Sequence, residues 1–281
     1  MTTGTDRVDG KVALITGAAR GQGRCHAVRL AAEGADIIAI DVADTVIETM
    51  SYPLATATDM AETVRLVEAT GGRIVARTAD VRDLAALTSA IDDAVAELGR
   101  LDIVIANAGI GATGGPTVEL SEAAWQDVID VNLTGVWKTL KAAVPHVVAG
   151  GRGGAIVIVS SATALFPSEN IAHYSAAKAG LVMLMKVLAK ELGPHGIRVN
   201  SVNPSSVATD MVLNDSVFRL FRPDLDNPTR ADFEEAAGKL SRMNVALLEP
   251  EDITETVLHL VADSGRYITG TAHLLDAGNR L

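Results

Sequence analysis

Thr16-Gly17-Ala18-Ala19-Arg20-Gly21-Gln22-Gly23 follows the apolar run Val12-Ala13-Leu14-Ile15 and opens a helical pattern that stops at Gly34. Glycines between a strand and a helix let the backbone turn sharply and approach a pyrophosphate. The helix N-terminus adds unpaired N–H groups and a favourable dipole. A glycine-rich string by itself fits any tight turn, so its position between strand and helix decides the reading. The next apolar run, Ile37-Ile38-Ala39-Ile40, ends on Asp41. A carboxylate there can accept hydrogen bonds from both ribose hydroxyls of an adenosine. Strand, glycine turn, helix, strand and acid, in that order, predict the opening unit of a dinucleotide-binding α/β domain.

Outward from this unit the same alternation continues. Further short apolar runs lie at 74–78, 103–106, 155–159, 198–202 and 273–275, and helical patterns at 59–70, 83–98, 122–149, 174–192 and 251–262. The strands are almost continuously apolar, as strands covered on both faces are. The expectation is one doubly wound parallel sheet (Rossmann) of about seven strands, helices on both faces, spanning residues 1–281 as a single domain. Two stretches break the alternation. Residues 44–58 read as an inserted loop, and 211–247, with Pro223 and Pro228, as a substrate lid.

Composition narrows the function. With 48% hydrophobic residues the chain is not disordered, and with 3% aromatics its core must be aliphatic. A net charge of −11 and no basic run argue against nucleic acid and anionic membrane surfaces as partners. One cysteine, Cys25, excludes an intramolecular disulfide, and six scattered histidines lack metal-ligand spacing, so no metal is expected. The polar stretch 1–10 does not read as a signal peptide, and no apolar run approaches the roughly 18 residues of a membrane span. A cytoplasmic location follows as the default.

Tyr174 and Lys178 stand at i and i+4 near a helix start, so their side chains share a face. A free tyrosine, with a pKa of about 10, is a poor base at neutral pH. A nearby ammonium stabilises the phenolate, which makes the pair a sensible general acid/base. Tyr-x-x-x-Lys alone is common on solvated helix faces. Ser160-Ser161, however, ends the preceding strand, and ligands of open parallel sheets sit at such ends. A serine hydroxyl there can polarise a carbonyl or alcohol oxygen.

Together, Thr16-Gly-x-x-x-Gly-x-Gly23, Asn107-Ala108-Gly109, Asn132, Ser161 and Tyr174-x-x-x-Lys178 resemble the short-chain dehydrogenase/reductase family over essentially the whole chain. The resemblance implies catalytic roles for four residues. Ser161 orients the substrate, Tyr174 is the proton donor/acceptor, Lys178 binds the nicotinamide ribose and lowers the tyrosine pKa, and Asn132 holds a water linking Lys178 to solvent. It implies a cofactor site of Gly17, Arg20, Gly21, Gln22, Gly23, Asp41, Asp80, Val81, Asn107, Ala108, Gly109, Tyr174, Lys178, Pro204, Val207 and Thr209. Where the family has Pro-Gly after the sixth strand, this chain has Pro204-Ser205, which departs from the expected backbone there. Gly17-Ala-Ala-Arg-Gly-Gln-Gly-Arg24, His26, Ile37-Ile-Ala-Ile-Asp41 and the 44–58 insert are similar to the actinobacterial carveol dehydrogenases linked to the redox cofactor mycofactocin. That implies tightly held NAD, a terpenoid-like secondary alcohol, and mycofactocin as external redox acceptor. A homotetramer is implied as well, in keeping with two helical stretches, 122–149 and 174–192, that are apolar nearly all round.

Asp41 would repel a 2′-phosphate and favours NAD over NADP. Arg20 could greet that phosphate, cover the adenine or pair with a carboxylate. The alternative activity is an NADPH-dependent 3-ketoacyl-type reductase; a non-catalytic dinucleotide sensor would not need Ser161, Tyr174 and Lys178. The apolar residues Ile110, Leu165, Phe166, Met211, Val212, Leu213, Val217 and Phe218 are expected to form the cleft mouth and select a small hydrophobic alcohol or ketone. His173 reads as structural or substrate-lining. Phe218-Arg219-Leu220-Phe221-Arg222 reads as an amphipathic helix or an anion-gripping lid, and Cys25 as a buried small hydrophobe.

Overall fold

Each apolar run becomes a strand, and the glycine turns and capping residues set where the helices between them begin and end. In the computed structural model, which describes residues 7–111, 114–279 and 281, the chain runs β1 (Val12–Thr16), α1 (Gly21–Ala31), β2 (Asp36–Asp41), α2 (Ala57–Ala69), β3 (Ile74–Thr78), α3 (Leu84–Leu98) and β4 (Ile103–Ala106). It continues through α4 (Glu122–Ile129), α5 (Val136–Gly150), β5 (Gly154–Val159), α6 (Ala172–Leu192) and β6 (Ile197–Pro204). It ends with α7 (Asp215–Phe221), α8 (Arg230–Leu240), α9 (Pro250–Val261) and β7 (Ala272–Leu275). Of the polar stretch 1–10, residues 1–6 lie outside the described residues.

The strands form one parallel sheet in the order β3-β2-β1-β4-β5-β6-β7. Side chains alternate between two cores. Val12 and Leu14 of β1 pack toward α3, α5 and α6, while Ala13 and Ile15 pack toward α1, α2 and α9. The order reverses between β1 and β4, which opens a crevice at their carboxyl ends. Helix starts follow local chemistry. Asp83 accepts from the N–H groups of Ala85 and Ala86 to begin α3, and Gly99 ends it at φ +80°. Among the described residues no helix is long and apolar enough to cross a membrane.

Three expectations change. The helix expected over 122–149 is interrupted by a π-helical turn, Asp130–Gly135, that carries Asn132. The 211–247 segment is not irregular but carries two helices. Asn214 caps α7, and a Thr229/Asp232 capping box starts α8. The two helices enclose their own aromatic cluster, with Phe218 stacked on Phe233 at 5.4 Å and Phe221 edge-on to Phe233 at 4.8 Å. Phe218 is buried there with Val212, Leu213 and Val217 packed around it, so these side chains stabilise the segment and do not line the cleft. The insert is a strap over 44–56, its last two expected residues belonging to α2. Its ends meet where the Asp44 N–H donates to the Ala55 carbonyl at 3.2 Å. Ile47 packs with Val81, Ile110 and Val128, and the Thr49 hydroxyl donates to Asp127 at 2.6 Å.

Candidate active site

A cleft of about 390 Å³ runs along the carboxyl ends of the strands. At its β1 end the glycine turn is drawn tight. Gly17 sits at φ +68°, and a Cβ on Gly23 would fall 2.0 Å from the Gly17 carbonyl oxygen. Asn107 locks the turn to β4, its Nδ2 donating to the carbonyls of Thr16 (3.0 Å) and Gly17 (3.2 Å). Arg24 and Thr63, neither identified from the sequence, hold the outer side by donating to the Ala19 carbonyl. Arg20 caps α1 without a side-chain bond, which leaves the first amides of the helix for a ligand.

Asp41 accepts from the N–H groups of Ala19 and Val42, both at 2.8 Å. Burial nevertheless pushes its carboxyl above the usual range. Arg20 engages a carboxylate in this structure. It pairs with Asp210 at 3.0 Å, donates to the Pro53 carbonyl of the strap, and lies 6.0 Å from the Tyr52 ring. Asp80 is gripped by Arg82, whose backbone N–H donates to Oδ1 at 2.8 Å and whose guanidinium donates to Oδ2 at 2.9 and 2.7 Å. Asp80 and Val81 both line the cleft, as do Gly21, Gln22, Ala108, Gly109 and Thr209. Pro204 and Val207 are buried and do not line the cleft, and Val207 is bridged to Leu248. Ser205 takes the family's glycine position without a positive φ, its N–H donating to the Leu275 carbonyl at 2.9 Å.

At the other end, Tyr174 and Lys178 enter the cleft from the first turns of α6. Lys178 is buried, and its Nζ donates to the Val159 carbonyl at 3.0 Å and lies 5.6 Å from the Tyr174 ring centroid. Burial lowers its pKa to about 8. Burial pushes the Tyr174 phenol up to about 12, while a hydrogen bond from Ser161 pulls it back. Desolvation is thus the largest influence on the phenol. Ser160 and Ser161 separate clearly. Ser160 donates to the Lys178 carbonyl at 2.9 Å and secures α6 to β5. Ser161 caps the 3₁₀ turn Ala162–Ala164 and faces the phenol.

Asn132 is fully buried in the π-helical turn. Its Oδ1 accepts from the Ile110 N–H at 2.8 Å, and its Nδ2 donates to the Ile110 carbonyl at 2.9 Å. A Cβ on Gly109 would lie 3.2 Å from Asn132 Oδ1 and 3.5 Å from Lys178 Nζ, so the two groups flank that glycine. Wider turns of this kind are frequent at functional sites.

Two further residues escaped the sequence reading. Tyr52 lines the cleft from the strap, its hydroxyl accepting from the Gly111 N–H at 2.8 Å. Thr163 donates to Ser161 Oγ from both backbone and side chain. The Ser-x-Thr spacing was a usable signal for the second; nothing local signalled the first. His173 is fully buried, where desolvation lowers its pKa. Cys25 is only half-buried, its thiol pushed up to about 11. Arg219 is the exposed arginine of α7, and Arg222, just past the helix end, pairs with Asp224 at 2.8 Å. Leu165 and Phe166 are exposed, whereas Ile110 and Met211 reach the cleft. Among the described residues no group of three or more His, Cys, Asp or Glu is placed to hold a metal.

Known proteins share both the sequence and this arrangement. Residues 11–217 match the profile of the family described as short chain dehydrogenase. The chain is 51% identical over 275 residues to (-)-trans-carveol dehydrogenase of Rhodococcus erythropolis, covering 98% of this chain and 99% of that protein. It superposes with a TM-score of 0.96 on carveol dehydrogenase from Mycobacterium avium in complex with NAD, at 53% identity over 98% of this chain and 99% of that one. A short chain dehydrogenase from Mycobacterium paratuberculosis bound to NAD gives a TM-score of 0.89 at 42% identity, covering 97% and 98%. With motifs, topology and full-length relatives in agreement, the chain belongs to the short chain dehydrogenase family.

Proposed function

We propose that the protein is an NAD-dependent oxidoreductase acting on a hydrophobic secondary alcohol, carveol-like, or its ketone, with Tyr174 as general acid/base. The observation that carries this reading is the entry of Tyr174 and Lys178 at one end of a cleft, with Ser161 beside the Tyr174 phenol, while the other end is a glycine cradle with Asp41. The residues fit a dinucleotide. A Cβ at position 23 would fill the cradle, and the first amides of α1 suit a pyrophosphate. Asp41 would hold the adenosine ribose, and Lys178 the nicotinamide ribose. NAD, when bound, supplies the hydride acceptor and, reduced, the hydride donor.

The chain's own residues do the rest. Ser161 donates to the substrate oxygen and orients it. Tyr174, protonated at neutral pH because of its burial, donates its proton to a ketone oxygen as charge develops there. In the oxidative direction the same phenolate takes the alcohol proton, and the ammonium of Lys178 supports its charge. Asp41 and an Arg20 already engaged by Asp210 favour NAD over NADP, which speaks against the 3-ketoacyl-type alternative. Tight NAD retention, mycofactocin as external acceptor and a cytoplasmic location complete the proposal on the strength of the subgroup resemblance. Exposed Trp137 on α5 and Met183 and Val187 on α6 support a homotetramer.

Mass spectrometry of the denatured, purified protein should find NAD. A panel matched in size should rank cyclic terpenoid alcohols above linear secondary alcohols and sugars. Highest kcat/KM on sugars would overturn the substrate class.

A further inference from the structure

We propose that Thr163 is a positioning residue that commits the single Ser161 proton to donation, toward Tyr174 in the free enzyme and toward the substrate oxygen once substrate is bound. The inference rests on the acid/base reading above. Ser161 Oγ accepts from the Thr163 backbone N–H at 3.2 Å and from the Thr163 hydroxyl at 3.1 Å. A serine oxygen has two lone pairs and one proton. With both lone pairs taken, only the proton remains for a further bond, and Ser161 faces the Tyr174 phenol. Among the described residues the Thr163 hydroxyl has no other partner.

The backbone bond follows from Ser161 capping the 3₁₀ turn, so any residue at 163 with an N–H keeps it. Only a hydroxyl side chain supplies the second. Three hydroxyls aligned in one direction, Thr163 to Ser161 to Tyr174, polarise one another and bind a charged oxygen more strongly than a neutral one. Without the threonine hydroxyl, Ser161 has a free lone pair and can accept the tyrosine proton instead, which favours the phenol over the phenolate. During alcohol oxidation the substrate O–H bond breaks and a Tyr174 O–H bond forms, while Ser161 and Thr163 keep their own protons.

Thr163→Val, and Thr163→Ala should the valine variant fail to fold, remove the hydroxyl and keep the backbone bond; Thr163→Ser keeps both. In the valine variant kcat for alcohol oxidation should fall about tenfold. The rising limb of its pH profile should move about one unit toward alkali, the equivalent displacement. KM for NAD should be unaltered, and Thr163→Ser should stay within about twofold of the parent. In a Ser161→Ala background the valine substitution should add nothing, because both changes act through one hydroxyl. A merely structural threonine would lower stability and act equally in both backgrounds.

An activity-independent measurement uses ¹³C-labelled tyrosine. The chain has three tyrosines, Tyr52, Tyr174 and Tyr267, and Tyr174→Phe assigns the resonance. At pH 11 the ionised fraction of Tyr174 should fall severalfold in Thr163→Val. An unchanged titration overturns the role of Thr163 whatever the activity. A shifted titration in a protein that oxidises no alcohol overturns the acid/base reading instead.

Discussion

At Tyr174 two forces oppose one another: burial holds the proton on, while Ser161 and the neighbouring ammonium favour its loss. Ketone reduction needs the phenol and alcohol oxidation the phenolate. The oxidative kcat/KM should therefore climb as pH rises through the neutral and alkaline range, and the reductive kcat/KM should fall over it. Tyr174→Phe keeps the ring and removes the proton. Turnover should drop by about 100-fold or more with little change in NAD affinity by calorimetry. Asp41→Ala removes the charge opposing a 2′-phosphate. The NADP-to-NAD ratio of kcat/KM should rise about tenfold or more. Stability should fall as well, because the Ala19 and Val42 amides lose their acceptor. These residues were legible because they sit in motifs whose spacing fixes their placement. The upward push of burial on Tyr174 was not, because desolvation depends on every wall of the cleft.

Among the elements, strands were readable as apolar runs, and the end of α3 at Gly99 as a left-handed glycine. The break between α4 and α5 was hidden. The 122–149 stretch keeps a helical pattern throughout, and the π-helical turn is set by Asn132 reaching Ile110 on another element. Asn132→Ala would leave a buried N–H and a buried carbonyl unpaired. Stability to urea should drop by about 2–4 kcal/mol, and Gly109, flanked by Asn132 and Lys178, should shift with it. A midpoint within error of the parent would show that the turn does not depend on this side chain. In 211–247 the Asn214 and Thr229/Asp232 caps were present in the sequence. The prolines masked them, and the aromatic cluster joining α7 to α8 arises only when the two helices meet.

For the whole molecule, the N-terminal stretch and both flanks of one core layer meet at Glu33. Its shielded carboxylate pairs with Arg7 at 2.8 Å and Arg29 at 2.6 Å, which holds its pKa down at about 2. Because the folded value is depressed from 4.5, its stabilisation is present above about pH 4.5 and is lost as pH falls toward 2. Glu33→Gln should destabilise by about 2 kcal/mol at pH 7. The difference should vanish near pH 2, measured by calorimetric melting. The strap has a different relation to the whole. Because Asp44 and Ala55 already meet through a backbone bond, the residues between them form a closed lobe outside the topology of the sheet. Excising 45–54 and joining 44 to 55 through a short glycine turn should keep the sheet intact, lower the melting temperature through the lost packing of Ile47 and the lost Thr49–Asp127 bond, and expose the side of the cleft that Tyr52 walls. The scaffold and its strap are thus topologically separate parts, joined by side-chain contacts. The lobe can be lengthened or exchanged as a cassette so long as Ile47 keeps its packing, because the entropy of closing the loop grows only logarithmically with its length.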